Sequence, residues 1–117
     1  QNIVIYVEGE FEQKLSFKTK PTINDVLTKL QTDNHYQFNE NYQLTNESKL
    51  YLPHGQNLIS LNHASLDDLM TLKGIGKTAI KIDEYRQKTP FQTIEDLMNI
   101  QGIGEKTYLR LREYLCL

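Results

Sequence analysis

The second half of the 117-residue chain contains an internal repeat, which constrains the fold more than any other feature. Segment 65–78, SLDDLMTLKGIGKT, aligns without gaps on segment 93–106, TIEDLMNIQGIGEK, and places Gly74 on Gly102, 28 residues later. Both segments combine helically spaced apolar residues with a Gly-Ile-Gly sequence. Two copies are too few for a solenoid, so the repeat predicts a pseudo-twofold pair of helical hairpins.

Each copy begins with the signals of a short helix. Ser65 precedes Asp68 by three residues, and Thr93 precedes Asp96 by the same spacing, which is that of a capping box. The apolar residues that follow predict one buried stripe on each helix. The stripes consist of Leu66, Leu69 and Met70 in the first copy and Ile94, Leu97 and Met98 in the second.

A Gly-Ile-Gly turn follows each predicted helix. The first glycine, Gly74 or Gly102, adopts a positive φ at low cost and so ends the helix. We expect the central residues, Ile75 and Ile103, to be buried in the core. The second glycine of each turn leaves the neighbouring backbone N–H groups uncovered by a Cβ atom.

The helix that follows each turn begins with basic residues, which the helix dipole disfavours. Lys77 and Lys81 form a like-charged i, i+4 pair in the first copy, as do Lys106 and Arg110 in the second. A bound anion would reverse both penalties, because open N–H groups at a helix start and flanking cations bind phosphate. The sequence therefore predicts a phosphate site at each turn. Further hydroxyl donors are predicted at Thr78 and Thr107.

The distribution of charge supports this prediction, although the total does not. The net charge is −2, which does not indicate a nucleic-acid-binding protein. Segment 73–88 nevertheless has five basic and two acidic side chains, whereas the acids at 67–68 and 95–96 lie at the opposite ends of the first helices. We therefore expect a basic rim around both turns.

No pattern of catalytic or metal-binding residues is present. The histidines have no ligand spacing, and the single cysteine, Cys116, excludes an intramolecular disulfide. No apolar run approaches the roughly 20 residues of a membrane-spanning helix. We predict a binding protein and not an enzyme, with no cofactor and no metal site.

The first half of the chain has the pattern of a small α+β module. Strands are predicted at 3–9, 14–20 and 49–53, because apolar residues alternate or cluster there between glycine and proline. Thr22 follows Pro21 and can cap a helix. The apolar positions of that helix are Ile23, Val26, Leu27 and Leu30, and the expected anchors of the polar segment 32–48 are Tyr36, Phe38, Tyr42 and Leu44.

Two GIG turns that each follow a short capped helix resemble a tandem helix-hairpin-helix DNA-binding domain. The flanking segments ISLNHAS (59–65), EYRQKTPF (84–91) and IEDLMNIQGIGEKT (94–107) resemble the ComEA family of competence proteins. Residues 1–53 resemble, more weakly, the SLBB (β-grasp-like) domain that precedes this unit in many family members. The resemblance implies an α+β fold with a β-grasp-like module at 1–53, a linker at 54–58 and an all-α tandem helix-hairpin-helix domain at 59–117.

The resemblance also implies a function, which is to bind double-stranded DNA without sequence preference as the extracytoplasmic receptor of natural transformation. Each hairpin would hold the phosphates of one strand across the minor groove. The expected partners are DNA and the DNA-uptake machinery. Because the chain starts at Gln1 and not at Met, we expect a membrane anchor at the cell surface to lie upstream of this sequence. The implied DNA-binding residues are Gly74, Ile75, Gly76, Lys77, Thr78, Lys81, Gly102, Ile103, Gly104, Lys106, Thr107 and Arg110.

The first copy departs from the family pattern. Ala79 follows Gly76 by three residues where the family has four, and Asp83 falls where an apolar residue is usual. We therefore expect the second helix of this copy to be irregular. Two alternatives remain open. The tandem hairpins could serve as a protein-interaction or DNA-repair scaffold module, and the N-terminal module could mediate self-association or glycan contact.

Overall fold

The computed structural model describes residues 2–55 and 58–117. The chain divides into two compact units, Gln1–Leu52 and Pro53–Leu117. Two residues of the predicted linker, Gln56 and Asn57, lie outside the described residues. The first unit contains a sheet and one helix, and the second contains several short helices, so the predicted α+β class is confirmed.

The first unit is a three-stranded sheet with one α-helix. Strands β1 (Ile3–Gly9) and β2 (Gln13–Phe17) pair antiparallel, and β1 also pairs in parallel with β3 (Ser48–Leu52), in the order β2-β1-β3. Helix α1 spans Ile23–Leu30. Strand β2 ends at Phe17, three residues before the predicted end. The buried apolar residues of this unit come from both the sheet and the helix.

Helix α1 begins where its capping sequence predicts. The Asp25 N–H donates to Thr22 Oγ1 at 3.2 Å, and the Thr22 N–H donates to Asp25 Oδ2 at 2.9 Å, which completes a capping box. Near the end of the helix, Lys29 Nζ donates to the Ser16 carbonyl at 3.0 Å and lies 4.8 Å from the centre of the Phe17 ring. Lys29 therefore links the helix to strand β2.

The polar segment between α1 and β3 is held by three of its four predicted anchors. Tyr36, Phe38 and Leu44 are buried, and the Tyr36 hydroxyl donates to the Glu10 carboxylate. Tyr42 is 36% exposed, so the prediction of a buried anchor is wrong at this position.

The second unit contains short helices and a two-residue strand near each end. Strands β4 and β5 pair in parallel and place Ile59 beside Leu115, and the Ser60 hydroxyl donates to the Leu117 carbonyl at 2.6 Å. This ladder is absent from the all-α description of the unit that the resemblance implies. The elements are β4 (Ile59–Ser60), α2 (Leu66–Met70), α3 (Thr78–Lys88), a 3-10 helix (Ile94–Asn99), α4 (Glu105–Leu111), a 3-10 helix (Arg112–Tyr114) and β5 (Leu115–Cys116).

The predicted apolar stripes are narrower than expected. Leu69, Ile94 and Leu97 are buried, but the prediction is wrong for Leu66, Met70 and Met98, which are 37%, 51% and 39% exposed. Helix α2 has only five residues, so a single side chain faces the core. The equivalent helix of the second copy is a 3-10 helix, in which residues three apart align, so Met98 turns away from the face that Ile94 and Leu97 share.

Candidate nucleic-acid interface

Each Gly-Ile-Gly turn connects two short helices that contact each other, α2 with α3 and the 3-10 helix Ile94–Asn99 with α4. We call residues 73–77 the first turn and residues 101–105 the second turn. The first helix of each pair has an acidic start. The Asp68 N–H donates to Ser65 Oγ at 3.0 Å, and the Asp96 carboxylate accepts from the Thr93 N–H at 3.3 Å.

The first glycine of each turn has the predicted left-handed conformation. The φ angle is 79° at Gly74 and 98° at Gly102. The next residue, Ile75 or Ile103, is buried, and its N–H donates at 3.1 Å to the carbonyl three residues earlier. The two turns are therefore equivalent from the first glycine to the central isoleucine.

The copies differ after the central isoleucine. In the second turn Gly104 is extended (φ −95°, ψ −175°), and α4 begins at the next residue. In the first turn Gly76 has φ 48°, and α3 begins only at Thr78, whose N–H donates to the Ile75 carbonyl at 2.9 Å. The start of α3 is thus a tight turn with i→i+3 bonds, and the irregularity expected from the missing residue is observed there.

Open backbone donors lie at both helix starts. In the first turn the N–H groups of Gly76 and Lys77 donate to no acceptor among residues 2–55 and 58–117. At the start of α4 the same holds, within the described residues, for Gly104, Glu105, Lys106 and Thr107. All of these positions except the half-buried Thr107 are solvent-exposed, so their N–H groups are available to a ligand.

The four predicted basic residues fall into two groups, and the prediction that all four lie at helix starts is wrong for Arg110, which lies in the last turn of the short helix α4. The Lys77 and Lys106 side chains are exposed and have no hydrogen-bond or ion-pair partner in the described part of the chain. Lys81 Nζ donates to the Gln101 carbonyl at 3.1 Å, and Arg110 Nη1 donates to the Lys73 carbonyl at 2.6 Å. Each of these two cations thus belongs to one copy and reaches the turn of the other.

This crossed contact brings the two turns together on one face of the second unit. Arg110 lies against Lys73 and Gly74 of the first turn, and Lys81 lies against Gln101 and Gly102 of the second. Thr78 and Thr107 are half-buried behind the exposed glycines, and Ile75 and Ile103 support the turns from the core. All twelve predicted residues therefore belong to one contiguous region, in which the isoleucines are not accessible.

The sequence analysis missed two features of this region. One is the pair of carbonyl acceptors at Lys73 and Gln101. The other is an exposed apolar residue directly before Lys81 and directly before Arg110, namely Ile80 (47% exposed) and Leu109 (44%). The equivalence of these exposed apolar residues could have been found from the segments IKIDEY (80–85) and LRLREY (109–114), which align at a spacing of 29 residues and not 28.

Burial changes the ionisation of one residue next to this region. The Tyr108 ring lies in the core behind α4, and burial, then the Glu95 carboxylate, raises the pKa of its hydroxyl well above the usual value of 10.0. Arg112, whose guanidinium lies 5.5 Å from the centre of the ring, acts in the opposite direction. Tyr108 is therefore neutral at physiological pH.

The described residues contain no cluster of three or more His, Cys, Asp or Glu side chains that could hold a metal ion. Among the same residues, no helix has the length and apolar content needed to cross a membrane.

Comparison with known proteins identifies relatives of this chain. ComE operon protein 1 of Bacillus subtilis (strain 168) is 39% identical over 57 residues, which cover 47% of this chain and 28% of the relative. The kinesin-like protein KIN-10C of Arabidopsis thaliana is 45% identical over 53 residues, which cover 44% of this chain and 7% of the relative. The chain therefore spans less than a third of either relative.

The ComE relative confirms the likeness to the ComEA family that the sequence predicts. A family model described as the helix-hairpin-helix motif matches residues 54–116, which include both turns and all the helices around them. Since the match covers more than half of the chain, this protein belongs to the helix-hairpin-helix motif family.

Proposed function

We propose that this protein binds double-stranded DNA through its phosphates, using the two turns as a tandem pair of helix-hairpin-helix motifs. The observation that carries the proposal is the row of open N–H groups at Gly76 and Lys77 and at Gly104, Glu105 and Lys106. Two helix starts with uncovered donors suit phosphate groups better than any neutral ligand.

The exposed cations complete such a site. Lys77 and Lys106 extend from the helix starts and would neutralise the phosphates that the N–H groups hold. Ile80 and Leu109 lie one helical turn further on and would contact the apolar faces of the sugars in the minor groove. Phosphates and sugars are the same at every base pair, so the expected binding has no sequence preference.

The biological role that we propose is that of an extracytoplasmic DNA receptor in natural transformation. The likeness to ComE operon protein 1 supports this role. The match to a kinesin-like protein shows that similar sequence also occurs in a protein of another kind, so the hairpins alone do not specify the role. In this proposal the protein binds DNA without altering it, needs no cofactor, and passes its ligand to the uptake machinery from a membrane-anchored position at the cell surface.

For residues 1–53 we propose an SLBB-like module that mediates self-association. The parallel pairing of β1 and β3, with α1 in the connection between β2 and β3, is compatible with this assignment. Self-association would place several pairs of turns on one duplex and raise the effective affinity.

The test is fluorescence anisotropy with a labelled 30-bp duplex, titrated at two salt concentrations and with two unrelated sequences. With about four phosphates contacted, the logarithm of the binding constant should fall against log salt with a slope of about −3.6. Equal affinity for both sequences is expected. Absence of salt-dependent binding by the intact chain would contradict the proposal and favour the protein-interaction alternative.

Gly104→Glu and Lys106→Glu locate the contact. A Cβ atom at Gly104 meets no atom within 4 Å, and the φ angle of −95° suits any residue, so Gly104→Glu adds a carboxylate without strain. Each variant should weaken DNA binding by the same factor whatever the sequence of the duplex. The matched control is Lys18→Glu, which makes the same charge change as Lys106→Glu at an exposed position in the first unit and should bind as the unaltered chain does.

A further inference from the structure

We propose that Lys81 and Arg110 are positioning residues that brace the two turns against each other, so that each copy holds the turn of the other in its binding geometry. The effect of the brace on DNA affinity rests on the proposed function, but the contacts that support the brace are present without any ligand.

The same contact occurs twice with exchanged copies. Lys81 Nζ is 3.1 Å from the Gln101 carbonyl oxygen, and Arg110 Nη1 is 2.6 Å from the Lys73 carbonyl oxygen. Lys73 and Gln101 are equivalent, because each directly precedes the first glycine of its turn. The cations are also equivalent, since both follow an exposed apolar residue and precede a buried one. Lys81 and Arg110 thus make equivalent contacts, which are related by the pseudo-twofold symmetry of the two copies.

The glycines at the turns make room for these cations. A Cβ atom at Gly74 would lie 2.6 Å from Arg110 Nη1, and one at Gly102 would lie 3.3 Å from Lys81 Nζ. Any other residue at Gly74 would push the guanidinium away from the Lys73 carbonyl. The first glycine of each turn therefore has a second role besides its positive φ angle.

The brace also explains the placement of Lys81, the fourth residue of α3, near a helix start where the dipole disfavours a cation, whereas Arg110 lies in the last turn of α4, where a cation is favoured. The Lys73 and Gln101 carbonyls lie in the turns after the preceding helices have ended, and each accepts a hydrogen bond from one of the two cations. A cation that donates to a carbonyl there forms a charge-assisted hydrogen bond, which offsets the penalty. An ammonium has three N–H donors and a guanidinium five, so one bond to a carbonyl leaves donors for a phosphate.

A brace predicts that the two copies are coupled in a crossed pattern. Loss of Arg110 should displace the first turn and weaken the contact made by Lys77. Loss of Lys81 should displace the second turn and weaken the contact made by Lys106. If Lys81 and Arg110 acted only as phosphate ligands, they would couple instead with the cation on their own helix, four residues earlier.

Double-mutant cycles on the full chain distinguish these patterns. Lys81→Met and Arg110→Met keep an apolar stem, and each is combined with Lys77→Ala and with Lys106→Ala before the affinity for the 30-bp duplex is measured. We expect a coupling factor of about threefold for Arg110 with Lys77 and for Lys81 with Lys106, and additive effects for the pairs on one helix. Coupling within one helix, or in no pair, would overturn the proposal.

Two further measurements exclude a general effect on folding. Arg110→Lys and Lys81→Arg keep a donor and should recover most of the affinity lost in the methionine variants. In NMR spectra without DNA, Arg110→Met should shift the amide signals at 74–76 more than those at 102–104, and Lys81→Met the reverse. If the intact chain failed to bind DNA, the proposed function would be contradicted, but the brace would not, because the NMR spectra test the brace without DNA. Equal shifts of the amide signals at both turns would overturn the brace.

Discussion

The cations near the two turns differ in what their side chains contact. Lys77 and Lys106 reach only solvent in the described part of the chain, whereas Lys81 and Arg110 donate to backbone carbonyls. An exposed lysine loses side-chain entropy when a ligand orders it, while a side chain that is already held loses less. The fixed pair therefore defines the shape of the surface, and the free pair supplies adaptable charge.

The four turn glycines are predicted to differ in their tolerance of a side chain. Gly74→Ala should destabilise the second unit by about 1–2 kcal/mol, because a φ angle of 79° is strained in alanine and because the added Cβ atom would displace the Arg110 side chain. Gly104→Ala should change the free energy of unfolding by no more than about 0.5 kcal/mol, since its backbone is extended and the site is open. Urea unfolding of both variants tests this, and equal losses would contradict the assigned turn geometry.

Tyr108 makes the second unit sensitive to alkaline pH. Its pKa in the folded state is raised, mainly by burial, above the unfolded value near 10. Its contribution to stability is complete below pH 10 and is lost as the pH rises further, because the unfolded chain then ionises first. The free energy of unfolding should fall by up to about 1.4 kcal/mol per pH unit more than in Tyr108→Phe.

The measurement is urea unfolding of both proteins between pH 8 and pH 11, followed by NMR signals of the second unit. All other side chains are the same in both proteins, so the difference between the two curves isolates Tyr108. Parallel curves would show that the hydroxyl ionises as easily in the folded state as in the unfolded chain.

The elements around the turns are short, and their starts decide what they present to a ligand. Helix α4 begins directly after the extended Gly104 and leaves four N–H groups, those of residues 104–107, without an acceptor among the described residues, whereas the tight start of α3 uses the Thr78 N–H internally and leaves two. One residue fewer in the first copy thus leaves fewer donors at its helix start.

This asymmetry predicts unequal roles for the two exposed lysines. Lys106→Ala should weaken binding to the 30-bp duplex by about tenfold and Lys77→Ala by about threefold, because more backbone donors act with Lys106 on the same phosphate. Both variants remove one charge from one helix start, so each serves as the control for the other. A larger loss in Lys77→Ala would mean that the first turn is the stronger site.

Local signals in the sequence predict much of this element structure. The Thr22 helix cap, the strand at 3–9 and the positive φ angles at Gly74 and Gly102 each depend on residues a few positions apart, so they follow from local sequence. The contact of Arg110 with Lys73 joins residues 37 positions apart and depends on how the copies pack. The β4–β5 ladder was missed for the same reason, since two-residue strands show no alternation.

The whole molecule consists of two units, and each has a core of its own. In the second unit the ladder closes the structure, because β4 at one end pairs with β5 at the other and Leu115 and Leu117 are buried. All residues proposed to contact DNA belong to this unit. Its architecture therefore suits independent folding and binding.

We accordingly predict that a fragment of residues 53–117 folds alone and binds the 30-bp duplex within about threefold of the intact chain, with the same salt slope of about −3.6. Residues 1–52 alone should show no binding and serve as the control. A fragment of residues 53–114 should fail to fold, since it lacks β5 and the buried Leu115 and Leu117.

On long DNA the intact chain should bind more tightly than the fragment 53–117, because self-association of the first unit would join several pairs of turns. Equal affinity on long DNA would contradict that role of the first unit, and a large loss on the short duplex would show that the first unit itself contacts DNA.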